Sequence, residues 1–110
     1  MQMSTTEDIK EIVQCLNSPP FNKGLALVSF DEMSPLELLE LLNEVFTHLD
    51  PKHKVDIRSE PQDQTAERMI EMLKVLNFPS NFDIVFQQCL VGGDRKVIYP
   101  ILHYILSWLP

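Results

Sequence analysis

Residues 34–49 constrain the fold more than any other stretch of this chain. Ser34-Pro35-Leu36-Glu37 reads as a helix start: the serine can cap, the proline forfeits no hydrogen bond at the first helical position, and the glutamate completes a capping box. The helix predicted from that start runs to about Leu49, and Leu36, Leu38, Leu39, Leu41, Leu42, Val45, Phe46 and Leu49 cover most of its circumference. Only Glu37, Glu40, Glu44 and Thr47 leave a narrow polar stripe. A helix apolar on nearly every side has to be surrounded by protein, so the rest of the chain must wrap around it. With 110 residues, 45% of them apolar, there is material for one such core and too little length for two, and residues 1–110 read as one domain.

The flanking segments are mostly helical in pattern, which makes the fold class all-α. Thr5 or Thr6 can cap a first helix through Glu7, Asp8, Ile9, Ile12, Val13 and Leu16, ended by Asn17-Ser18-Pro19-Pro20. Leu25–Phe30 is ambiguous between a strand and a buried helical turn and is taken as a short strand; Val55-Asp56-Ile57-Arg58 alternates like a short extended segment. A further helix is predicted from near Pro61, burying Ala66, Met69, Ile70, Leu73 and Leu76, with Pro79 marking its end. Ser80 or Asn81 can cap a short helix through Phe82, Phe86 and Leu90, terminated by Gly92-Gly93. Asp94 can cap a last helix, but Pro100 cannot donate to the Lys96 carbonyl, so its regular part is predicted to begin near Pro100. Met1–Thr5 is the one stretch expected to be disordered. The start has neither the basic nor the apolar character of a targeting peptide, and Val97–Leu109 is too short to span a membrane.

Catalytic chemistry finds no foothold. His48 and His53 have no ligand at a zinc spacing, and His103, on an apolar helix, reads as a core-edge histidine donating to a backbone carbonyl. Cys15 and Cys89 lie on apolar faces without a basic neighbour, a pattern of inert thiols in a cytosolic protein. Gly92-Gly93 fits no phosphate-binding fingerprint. No cofactor, no metal and no enzyme activity are expected.

The charge distribution is more informative. Net charge is −7; residues 1–50 hold nine acids and two bases, whereas residues 51–110 hold seven of each. A nucleic-acid partner, which calls for excess Lys and Arg, is not expected. Lys52, Lys54 and Arg58 cluster with His53 in a turn, Arg68 and Lys74 lie on the helix after Pro61, and Arg95 and Lys96 open the last helix. These cations are either solvated surface or a binding patch for an acidic protein.

Four blocks decide how the patch is read. Pro20-Phe21, Asp50-Pro51-Lys52 with Val55-Asp56-Ile57-Arg58, Gln64-Thr65-Ala66-Glu67-Arg68-Met69, and Val97-Ile98-Tyr99-Pro100-Ile101-Leu102-His103 together resemble the N-terminal calponin-homology-like domain of the intraflagellar transport 81 proteins. The resemblance implies a calponin-homology-like fold of four to six helices at the front of a longer coiled-coil subunit of the IFT-B complex, found in cytoplasm, cilium or flagellum and basal body. It implies a domain without enzyme activity that grips the tubulin heterodimer through a basic surface, with intraflagellar transport protein 74 and other IFT-B subunits as partners. On that reading Lys74, Arg95 and Lys96 lead the tubulin-binding set, with Arg68, Lys52, Lys54 and Arg58 as further members. The sequence departs from the family's pattern at Val75-Leu76-Asn77 and Gln87-Gln88, where additional basic residues would stand. A structural docking domain with weak or no tubulin affinity is the alternative.

Overall fold

The structure, a computed structural model, describes residues 5–108. Six α-helices follow one another, with no strand among the described residues: α1 (Thr6–Asn17), α2 (Leu27–Asp31), α3 (Pro35–Leu49), α4 (Gln62–Val75), α5 (Ile84–Val91) and α6 (Arg95–Leu106), with a single 3₁₀ turn at Pro51–His53. Among the described residues no helix is long and apolar enough to cross a membrane.

As its pattern predicts, α3 is deeply buried, while α6 is the helix that packs on α1, α3 and α5. Leu42, Val45 and Phe46 are completely buried, and the capping box forms as read, with Ser34 Oγ accepting the Glu37 amide and Glu37 Oε1 accepting the Ser34 amide. The helix packs on α6 and on the 3₁₀ turn, α1 packs on α6 and α2, and α5 bridges α4 and α6. Asn43 is the exception on the buried face: its amide donates to the His53 carbonyl, so burying it costs no unmade hydrogen bond there. At the N-terminus Thr5 is the cap, exchanging hydrogen bonds with Asp8, while the rest of the unstructured stretch expected at Met1–Thr5, residues 1–4, lies outside the described residues.

Four local expectations are corrected. Leu25–Phe30 holds no strand, because the Asn17 side chain occupies both the amide and the carbonyl of Leu25, and Ser29 then caps Ala26 to start α2. Val55–Arg58 is turn rather than extended, since Asp56 Oδ1 accepts the Arg58 amide and its carbonyl accepts the Ser59 amide. The helix after Pro61 stops at Val75, before Pro79: Asn77 takes φ 59°, its amide reaches the Lys74 carbonyl and that of Phe78 reaches Leu73, a Schellman closure with Asn in the glycine position. The following helix is capped by Asp83, two residues beyond Asn81.

The last helix differs most from expectation. It starts at Arg95, with Asp94 as cap, and runs continuously through Pro100. An internal proline costs about 3 kcal/mol. Starting the helix only at Pro100 would unseat Val97, Ile98 and Tyr99, which are 6%, 0% and 5% exposed, and burial of such side chains contributes roughly 1.5–3 kcal/mol each. Packing therefore wins over the missing hydrogen bond.

Candidate protein-binding surface

The seven cations of the second half do not share one environment. Arg68, on α4, points inward. Its Nε and Nη2 donate to the two oxygens of Glu60 at 3.1 and 2.7 Å, and Nη1 donates to Asn43 Oδ1 and to His53 Nδ1. With the side chains of Arg68 and Glu60 only 12% and 13% exposed, four of the five N–H groups of this guanidinium are spent inside the fold and little of it is open to a partner. The Arg68 hydrogen bonds, joined by the Thr65 hydroxyl, hold the Glu60 carboxyl below the usual carboxylate range against the opposing effect of burial. His53 is wholly buried; desolvation, then the charges of Arg68 and Lys52, push its pKa down. Its ring is thus neutral, and because Nδ1 accepts from Arg68 the proton sits on Nε2.

Two further arginines are engaged at the surface. Arg58 donates through Nε and Nη2 to Glu40 Oε1, and Arg95 donates to the side chain and main-chain carbonyl of Asp31 while lying over the Tyr99 ring at 5.8 Å. Lys52 lies 4.0 Å from Asp50. Lys54, Lys74 and Lys96 are exposed and form no ion pair among the described residues. Lys54 lines a groove with Glu40, Glu44 and Asp56; Lys74 lines another with Asp63, Glu67, Glu71 and Gln87, its ammonium 6.0 Å from the centre of the Phe82 ring.

The leading residues sit on two elements, Lys74 near the end of α4 and Arg95 and Lys96 at the start of α6. The Tyr104 hydroxyl donates to the Leu76 carbonyl, which fixes the end of α4 beside the later part of α6, whereas Arg95 and Lys96 open α6. At 1.5 Å per residue, the stretch from Tyr104 back to Arg95 puts roughly 14 Å of helix between the two ends. Around Lys74 the surface is partly apolar: Val75, Ile84 and Val85 are 72%, 62% and 62% exposed. Sequence reading missed the carboxylates that engage the arginines. Asp31 meets Arg95 across 64 positions and Glu40 meets Arg58 across 18, separations for which no local pattern gives a signal.

Comparison with known proteins gives one consistent result. The family profile described as the intraflagellar transport 81 calponin homology domain matches residues 7–110. The intraflagellar transport protein 81 homologs of Rattus norvegicus and Homo sapiens are 45% and 41% identical over 106 residues, covering 93% of this chain and 16% of each relative. Intraflagellar transport protein 81 of Chlamydomonas reinhardtii is 42% identical over 102 residues, covering 90% of this chain and 15% of its own length.

Proposed function

Since this chain belongs to the intraflagellar transport 81 calponin homology domain family, we propose that it is a non-catalytic module of the intraflagellar transport machinery that binds soluble tubulin for carriage into cilia. In this reading it forms the front of a longer coiled-coil subunit of IFT-B, pairs with intraflagellar transport protein 74 and other subunits through that longer region, and works in cytoplasm, basal body and cilium or flagellum.

The observation that carries the reading is Lys74: an exposed cation without a carboxylate ion-pair partner among the described residues, set over an aromatic ring and beside exposed Val75, Ile84 and Val85. A mixed cationic and apolar surface suits the folded body of an acidic protein. Lys96 and Lys54 are the other exposed lysines available for such contacts, Arg95, Arg58 and Lys52 contribute where their surface ion pairs open, and Arg68 supports the fold around them. Surface ion pairs contribute little, so a partner's carboxylate can displace them.

Thermophoresis with unpolymerised tubulin tests this. Lys74→Glu combined with Lys96→Glu weakens binding on the order of tenfold, and raising salt weakens the wild type; equal affinity of variant and wild type removes the lysines from the account. The engagement of Arg58, Arg68 and Arg95 by carboxylates of this same chain favours a second reading, a docking domain for other transport subunits. Recovery of those subunits without tubulin, from ciliary extract passed over the immobilised domain, supports it.

A further inference from the structure

We propose that Asp8, Glu11 and His103 form a divalent-cation site, of the chemistry that suits Zn²⁺, where α1 crosses α6. Asp8 and Glu11 stand one turn apart on α1, and His103 reaches them from the last turn of α6, 92 positions after Glu11. His103 Nε2 lies 2.6 Å from Glu11 Oε2 and 3.6 Å from Asp8 Oδ1, and one donor atom from each residue falls within 4.8 Å of the others. Ligands bound to tetrahedral zinc at about 2.0–2.2 Å stand roughly 3.4 Å from one another, so rotation of the exposed Glu11 side chain is the main adjustment needed.

Three features make the cluster more than a chance meeting of surface charges. Asp8 is held from behind: its Oδ2 accepts the Thr5 amide, which leaves Oδ1 turned to the histidine, the kind of second-layer support that orients metal ligands. The side chains of His103 and Asp8 are each 34% exposed, giving solvent access and an open fourth position for water. Below them lies a cavity of about 40 Å³ lined by Glu11, Ile12, Cys15, His103, Leu106 and Ser107, larger than the roughly 10–15 Å³ a water requires. Cys15 lines it as a thiol: burial and the Glu11 charge push its pKa up, so it is not counted among the ligands.

The donor set selects the metal. One imidazole nitrogen with two carboxylate oxygens suits zinc, whereas Mg²⁺ and Ca²⁺ call for six or more oxygens. On binding, the imidazole presents Nε2 as a lone pair with its proton on Nδ1, and the hydrogen bond from His103 to Glu11 is exchanged for two metal bonds. The cation then links α1 to α6, the pair of helices that packs most closely on one side of the core.

The test is titration of the chelator-stripped chain with ZnCl₂ by calorimetry, followed by thermal unfolding. One zinc binds per chain, and free zinc at about tenfold over Kd raises Tm by roughly 5 °C while MgCl₂ does not. His103→Gln and, independently, the exposed Glu11→Gln each weaken binding by about tenfold or more, whereas Cys15→Ser leaves it unchanged. Absence of stoichiometric binding up to about 100 µM free zinc, equal binding by wild type and Glu11→Gln, or loss of binding in Cys15→Ser overturns the proposal.

Discussion

Arg68 is the residue whose reading changes most between chain and fold. As a letter it is one of seven cations; as a side chain it closes a network of Glu60, Asn43 and His53 in the wall of α3 and α4. Removing it strands a nearly buried carboxylate, so Arg68→Ala is expected to cost about 3 kcal/mol, read from the midpoint of urea unfolding. His53 adds a pH signature. Its folded-state pKa is depressed, so the unfolded chain takes up the proton first; stability is full above the unfolded value of about 6.5 and falls as pH drops below it. Glu60, also depressed, adds a second loss in the carboxylate range, below about 4.3. Denaturant titrations between neutral pH and pH 5 check the first of these, and a flat profile there contradicts a neutral buried His53.

At the scale of elements, the ends of helices decide what can be changed. The α5–α6 connection is a Schellman closure: the Gly93 amide meets the Leu90 carbonyl, the Asp94 amide meets Cys89, and Gly93 takes φ 73°. A Cβ there would stand 2.2 Å from the Pro35 carbonyl oxygen, at the start of α3, whereas a Cβ on Gly24, at φ 63°, meets nothing within 4 Å. Gly24→Ala is therefore expected to cost only the left-handed backbone penalty, about 1–2 kcal/mol, and Gly93→Ala distinctly more, because two helix starts must move apart. Thermal unfolding of the two variants side by side measures the difference; equal Tm values contradict the close approach. The same logic explains Pro100, which the continuous α6 tolerates because both sides of it are anchored in the core.

For the whole molecule, charge is the quantity that matters to a partner. The acids of the first half are largely spent inside the molecule, as Glu37 on a cap, Glu40, Glu44 and Asp31 on Arg58, Lys23 and Arg95, and Glu11 on His103. Asp63, Glu67 and Glu71 on α4 have no ion-pair partner among the described residues and flank Lys74. They oppose an acidic partner on the very face where the lysine would meet it. Glu67→Lys with Glu71→Lys should accordingly strengthen binding to soluble tubulin on the order of tenfold, measured by thermophoresis at fixed salt; unchanged affinity points the tubulin contact away from α4. Periodicity, capping residues and the sequence blocks around Pro51, Ala66 and Pro100 were enough to determine a mostly helical fold, its buried helix α3 and its family, because those signals are local and repeat within a few residues. The stop at Asn77 was set by a left-handed residue closing two main-chain hydrogen bonds, and the start at Asp83, the turn at Asp56 and the helix at Leu27 by side-chain hydrogen bonds, none of which a pattern of apolar positions registers. Which cations remain available, and that Asp8, Glu11 and His103 meet at all, was decided only by tertiary packing, since electrostatic partners are chosen by distance in space and the chain brings together positions up to 92 apart.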